Sequence, residues 1–162
     1  MKCSAAVFTI SDSSHAGKRQ DVSGPAVRAR LEKLGWTVRC EVIPDEAPLI
    51  SKRLSELADS GAVSVIFTTG GTGVALRDVT PEATKAVIER EIPGFGEWIR
   101  MSGHGITKTS ILSRGISGTR GKTLIVNLPG SPRGAVESLN AIMDVVPHVV
   151  DLLYGNTEHT TC

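Results

Sequence analysis

The sequence predicts an α/β protein with a mostly parallel sheet, covered by helices on both faces and carrying one antiparallel hairpin. Three observations lead there. Short apolar, β-branched runs alternate with segments of helical periodicity, the pattern of parallel strands joined by crossover helices. Turn-forming Gly, Pro, Asp and Ser gather just beyond several of those runs. Arg120-Gly121-Lys122 separates two further runs closely enough to read as a hairpin. At 162 residues, with no repeat, low-complexity tract or linker, the chain reads as one domain over 1–154 and a polar tail over 155–162.

Each element has its own signal. Residues 5–10 are an apolar first strand, ended by Ser11-Asp12-Ser13-Ser14; 15–24 are polar and read as a loop. Residues 25–34 are helical, with Ser23 as cap and Gly35 suited to the left-handed position that follows. Residues 37–43 form the second strand, broken by Pro44-Asp45-Glu46. In 48–59, Leu49, Ile50, Leu54, Leu57 and Ala58 fall on one helical face. Val65-Ile66-Phe67 is continuously apolar, as in a central strand buried on both sides. Thr80 as cap and Pro81 at the first position open a helix that runs to residue 90. Ile92-Pro93-Gly94 interrupts; 95–102 resumes as a short helix, and 103–113 reads as helix with a broken start. The hairpin strands are 116–119 and 123–128. Pro129-Gly130-Ser131-Pro132 then turns into a helix over 133–143, with Ser131 as cap and Pro132 at its first position, and 145–153 is the last helix.

Composition removes several function classes. A formal net charge of +1 gives no electrostatic case for nucleic acid or a membrane surface. Aromatic residues make up 4% of the chain, too few for a base-stacking platform. Cys3, Cys40 and Cys162 show no CxxC spacing, which argues against zinc and against a disulfide framework and fits a reducing cytoplasm. His15, His104, His148 and His159 share no ligand spacing. The first apolar run is too short for a signal peptide, and no run approaches the roughly 20 residues of a membrane helix. A cytoplasmic protein is expected.

The chemistry gathers in the turns. Ser11-Asp12-Ser13, Pro44-Asp45-Glu46 and the stretch from Gly70 to Asp78 all follow strands, as does Pro129 to Pro132. In a parallel sheet the first three share one rim, where open α/β sheets bind ligands. Gly70, Gly71 and Gly73 let backbone N–H groups come close to a ligand. Arg77 suits an anion, and Asp78 suits a metal or a proton. Helix N-termini favour anions, and Mg²⁺ favours one or two carboxylates together with phosphate oxygens. The set points to a phosphorylated ligand with a divalent cation. Each piece also has a plainer role: glycines as turn formers, Asp45 as a turn residue, Asp78 as a charge beside a helix start, Ser131-Pro132 as a cap pair, Arg77 as half of an ion pair. Their coincidence on one rim is what favours a site.

Familiar motifs fail. Gly71-Thr72-Gly73-Val74-Ala75-Leu76 has Leu where the dinucleotide fingerprint needs its third glycine. Gly121-Lys122-Thr123 resembles the end of a P-loop, but Ile116 holds the earlier glycine position and the stretch lies in a hairpin. No GxSxG elbow or Ser-His-Asp order appears.

Taken together, TTGGTG (68–73), RDVTPEAT (77–84), PGFGE (93–97), LSRG (112–115) and NLPGSP (127–132) resemble the molybdopterin-binding family, as do TISDSS (9–14) and IPDE (43–46). Its relatives include bacterial molybdopterin adenylyltransferases, the G domain of gephyrin and the plant counterpart. The resemblance covers nearly the whole chain. It implies a three-layer α/β/α fold assembled as a homotrimer. It also implies transfer of AMP from MgATP to the terminal phosphate of molybdopterin, releasing pyrophosphate and adenylated molybdopterin, which a separate metal-insertion protein or domain then loads with molybdate.

Asp45 and Asp78 match the two catalytic aspartates, and we place Mg²⁺ on them. Gly70, Gly71, Thr72 and Gly73 match the phosphate-holding loop. Arg77 is a candidate stabiliser of the transferring phosphate. Ser11, Asp12 and Ser13 border the nucleotide or pterin side, and Gly130, Ser131 and Pro132 match the loop expected to anchor the pterin. The nucleophile is a phosphate oxygen already ionised near neutral pH, so positioning and charge neutralisation suffice. One departure is Leu76, where many bacterial relatives carry the first of two arginines. The competing functions are a non-catalytic molybdopterin carrier or partner of the metal-insertion protein, the insertion step itself, which the family places in larger chains, and an unrelated nucleotide-binding switch. The helix bearing Val145, Val146, Val149 and Val150 is the candidate trimer surface.

Overall fold

A computed structural model of the chain describes residues 3–156. In chain order its elements are β1 (Ser4–Ile10), α1 (Asp12–His15), α2 (Ser23–Lys33), β2 (Thr37–Ile43), α3 (Ala47–Asp59), β3 (Val65–Thr69), α4 (Thr80–Lys85), β4 (Arg90–Glu91), α5 (Pro93–His104), a 3-10 turn (Lys108–Leu112), β5 (Ser117–Arg120), β6 (Thr123–Leu128), α6 (Pro132–Ile142) and α7 (Val146–Leu153). One sheet takes the strands in the order β2-β1-β3-β6-β5-β4. β2, β1, β3 and β6 are parallel; β5 runs antiparallel to β6, and β4 antiparallel to β5.

The three layers follow from the period-2 alternation of the strands. Val7, Val65, Phe67, Leu124 and Val126 face one core with Val27 and Leu31 of α2, Phe95 and Ile99 of α5, Leu139 of α6 and Val150 of α7. Ala6, Phe8, Ile66 and Ile125 face the other, with Ile50 and Leu54 of α3 and Ala83 of α4. β3 is the centre: Phe67 pairs with Val7 on one side and Val126 on the other, and Val65, Ile66 and Phe67 are all fully buried. The continuous apolar run needed both faces covered, and it has them.

Several local expectations are corrected. α2 begins at Ser23, and the Ser23 hydroxyl pairs with that of Thr69 at 2.8 Å instead of capping. Asp21 takes the cap role, accepting from the Gly24 amide at 3.1 Å while its other oxygen accepts from Thr9 at 2.8 Å. Thr80 lies inside α4 and donates its hydroxyl to the Gly70 carbonyl at 3.0 Å, because the long loop after β3 folds back onto its own start. α4 stops at Lys85 and not at residue 90, because residues 90–91 form the edge strand β4 and the Glu89 amide is already bonded to the Thr119 carbonyl at 2.7 Å. In 103–113 only the 3-10 turn is regular beyond the end of α5. Gly35 has φ +83°, as its position after α2 requires, and Gly121 has φ +54° in the hairpin turn. Of the expected tail only 155–156 are described; the remainder, with His159 and Cys162, lies outside the described residues.

Candidate active site

Register brings the loops level. Ile10 pairs with Ile43, Thr9 with Thr69 and Thr69 with Leu128, so the chain leaves β1, β2, β3 and β6 side by side on one rim. The fourth loop, after β6, joins the three expected there.

The loops are tied by charged and main-chain groups. The Asp12 amide donates to Asp45 Oδ2 and the Asp45 amide to Asp12 Oδ1, each at 2.9 Å. Arg77 donates Nε and Nη2 to Asp12 Oδ2 at 3.0 and 2.7 Å. The ion-pair role open to Arg77 is therefore occupied, and by an exposed partner. That guanidinium, with the Asp45 amide next, holds the Asp12 carboxyl below its ordinary value. Burial pushes the Asp45 carboxyl up; the Asp12 and Asp78 carboxylates add to this, while the Asp12 amide opposes it.

Two glycine pairs set the floor. Gly70 and Gly71 have φ +94° and +65°, a conformation L side chains rarely adopt. A Cβ on Gly70 would stand 2.5 Å from the Ile10 carbonyl oxygen, one on Gly130 would stand 3.2 Å from Gly70 Cα, and one on Gly71 would collide with the Thr80 hydroxyl. The backbones after β3 and β6 thus cross with no side chain between them. A Cβ on Gly73 would meet Asp78 Oδ2 at 2.7 Å, and that oxygen accepts from the Ala75 amide at 2.9 Å. Asp45 and Asp78 each spend Oδ2 on the fold, and Oδ1 of each receives no hydrogen bond among the described residues.

Two cavities flank this crossing. One, of about 430 Å³, is lined by Gly71, Thr72, Gly73 and Asp78 on one side and by α5, the 3-10 turn and α6 on the other. The second, of about 420 Å³, is lined by Ser11, Arg19, Asp21, Thr69, Gly70 and Pro132 among others. Gly130 and Ser131 belong to both. Ser131 Oγ accepts from the Gly134 amide at 3.1 Å, so it caps α6 as expected. Ser11 likewise accepts from the Ser14 amide, and Ser13 lies 3.2 Å from it, hydroxyl to hydroxyl. Asp12, Ser13, Asp45 and Arg77 line neither of these two cavities and sit on the rim itself. Among the described residues, no group of three or more His, Cys, Asp or Glu side chains is gathered as a metal site. A cation on Asp45 and Asp78 would complete its shell with phosphate and water oxygens, the usual habit of Mg²⁺.

Sequence reasoning missed part of this site. Ser102, at the end of the helix read over 95–102, and Thr107, Thr109 and Ser110, from the stretch read as helix with a broken start, line the first cavity, and the sequence singles out none of them as a site residue. Arg19 and Asp21 come from the segment read only as a polar loop. Arg114 donates to three main-chain carbonyls of the loop after β3; its one signal was a place in the LSRG stretch.

The profile of the family described as "Probable molybdopterin binding domain" matches residues 6–148. A molybdopterin adenylyltransferase of Helicobacter pylori (strain J99) is 42% identical over 153 residues, 93% of this chain and 87% of that one. The molybdopterin adenylyltransferase of Escherichia coli K12 is 42% identical over 147 residues, 89% of this chain and 75% of that one. The crystal structure of the molybdopterin biosynthesis enzyme MoaB from Thermus thermophilus superposes with a TM-score of 0.88 at 45% identity, covering 94% of this chain and 97% of that one.

Proposed function

The chain belongs to the molybdopterin-binding domain family, and on that premise we propose that it is a molybdopterin adenylyltransferase of molybdenum cofactor biosynthesis. The observation that carries the proposal is the pair of cavities meeting at the Gly70–Gly130 crossing. Adenylyl transfer needs two phosphorylated substrates to meet end to end, and bare backbone lets phosphates approach there.

In the reaction, an oxygen of the terminal phosphate of molybdopterin attacks the α-phosphorus of ATP. A new P–O bond forms, the bond to the β-phosphate breaks, and pyrophosphate leaves with the electron pair. The attacking oxygen is already ionised, so the protein's part is positioning and charge balance. Gly70, Gly71, Thr72 and Gly73 present the phosphate-holding backbone. Gly130, Ser131 and Pro132 anchor the pterin side. Ser11, Asp12 and Ser13 border the rim. Arg77, freed from its exposed pair with Asp12, stabilises charge on the transferring phosphate.

Asp45 and Asp78 are the residues that would hold Mg²⁺. Each offers an uncommitted oxygen; burial raises the Asp45 pKa, the Asp12 and Asp78 carboxylates add to it, and a bound cation would offset both. Bound there with the nucleotide, Mg²⁺ supplies charge neutralisation for the polyphosphate.

The enzyme is proposed to act in the cytoplasm, where ATP is at hand, with no nucleic acid or membrane partner and with the metal-insertion protein receiving its product. Among the described residues no helix is long and apolar enough to cross a membrane. We place the homotrimer contact on α5 and the 3-10 turn, where Trp98, Met101, Ile111 and Leu112 are exposed. Of the helix first considered for it, α7, Val146 and Val150 are buried in their own core, while Val145 just before it and Leu152 on it are exposed.

The test is incubation with molybdopterin, ATP and Mg²⁺, following adenylated molybdopterin by mass and pyrophosphate by its release. Activity in the wild type that is lost in both Asp45→Asn and Asp78→Asn is expected. Pterin binding with no adenylation would replace the transferase by a carrier.

A further inference from the structure

We propose that Arg114 is a positioning residue that sets where the Asp78 carboxylate stands, by holding the segment that bears it at both ends. The inference rests on the role of Asp78 proposed above. Arg114 Nε donates to the Gly73 carbonyl at 2.8 Å and Nη2 to the Asp78 carbonyl at 2.7 Å. The Arg114 amide donates to the Thr72 carbonyl at 2.8 Å. Nε and Nη2 lie on one edge of a rigid planar group, so the two carbonyls are held at a set separation. The turn between them projects outward; Val74 is 72% and Leu76 100% exposed, and packing does not fix it. Its internal bonds join Ala75 to Asp78 and give it shape but not place. Beyond the exposed Arg77–Asp12 pair, the hydrogen bonds that tie residues 72–78 to the rest of the fold, among those described, come from Arg114.

Arg114 is itself held. Its outer edge pairs with Glu82 of α4, whose carboxyl it keeps below the ordinary value. Arg100 of α5 donates to the carbonyls of Ser113 and Gly115 on either side of it, at 3.2 and 3.0 Å. The clamp therefore transmits the position of α5 and α4 to the catalytic loop. Lysine keeps the charge but has one point donor and cannot span the two carbonyls.

Arg114→Ala and Arg114→Lys should both lower kcat by about 10- to 100-fold, as misplacement of a reacting group does. The Mg²⁺ concentration for half-maximal rate should rise and the KM for molybdopterin stay near wild type. Free guanidinium should restore part of the rate to Arg114→Ala. The lysine variant, which keeps the Glu82 pair, decides the matter if the alanine variant does not fold. Hydrogen exchange needs no turnover: amides of 72–78 should exchange faster in either variant while those of β3 stay protected. A wild type inactive in adenylation sinks the transferase assignment, and exchange then judges the clamp alone. Unchanged exchange in 72–78, or a lysine variant with wild-type kcat and Mg²⁺ dependence, overturns the proposal.

Discussion

Asp45 accepts a hydrogen bond from the Asp12 amide, yet burial and two neighbouring carboxylates raise its pKa. Between the ordinary and the raised value the folded state binds more protons than the unfolded state. The contribution of Asp45 to stability is thus fully present below the ordinary carboxylate range and lost as pH rises through its folded value. Near neutral pH its charge costs stability, and Asp45→Asn, which can still accept from the Asp12 amide, should raise the melting temperature. That gain should vanish in acid, which thermal unfolding at both conditions would check. Asp12 has the opposite sign: Arg77 and the Asp45 amide lower its pKa, so its contribution holds above the ordinary range and is lost as pH falls through the lowered value. On the proposed role of Asp45 as a Mg²⁺ ligand, which must be deprotonated to bind, the Mg²⁺ concentration needed for half-maximal rate should rise as pH falls through the Asp45 value.

Among the elements, β6 does the joining. Its Asn127 is buried and donates to the hydroxyls of Thr68 on β3 at 3.0 Å and Thr84 on α4 at 2.9 Å, while Oδ1 accepts from the Ile116 amide at 3.2 Å. One amide side chain thus links the central strand, the helix after the glycine-rich loop and the entry to the hairpin. Asn127→Ala leaves two hydroxyls and an amide without that partner, and the loss should be about 1–3 kcal/mol, read by urea unfolding. The elements were largely legible where their signal was local. Strand 37–43 matches β2 residue for residue, because β-branched spacing and a terminal proline are local facts. The end of α4 was not legible: edge pairing with β5 outweighed helix propensity beyond Lys85, and no neighbouring residue announces that.

At the scale of the molecule, several exposed apolar side chains lie on α5 and the 3-10 turn, which also wall the cavity beside Gly71, Thr72 and Asp78. Covering Met101, which is 68% exposed, by a second copy would remove that surface from water. Met101→Glu should therefore shift the mass in light scattering from that of the proposed trimer to that of a monomer without disturbing the rim. A mutant that stays trimeric would move the interface elsewhere. This surface escaped the sequence pattern because α7 is the more apolar stretch, and only the structure shows that Val146 and Val150 of it are buried in the core.

The alternation of runs and periodic segments specified the α/β class, the hairpin and the glycine turns, because backbone preference and side-chain period act over neighbouring residues. The candidate residues Asp45, Asp78, Gly70–Gly73 and Ser131 were legible for the same reason, each standing in a recognisable turn at a strand end. Which of them meet was decided by strand order and register. Asp12 reaches Asp45 and Arg77 because β1 lies between β2 and β3, and Gly130 crosses Gly70 because β6 follows β3 in the sheet. Arg114 reaches Gly73 and Asp78 across 41 and 36 residues of chain. Contacts of that separation depend on the packing of the whole sheet, and no local pattern encodes them.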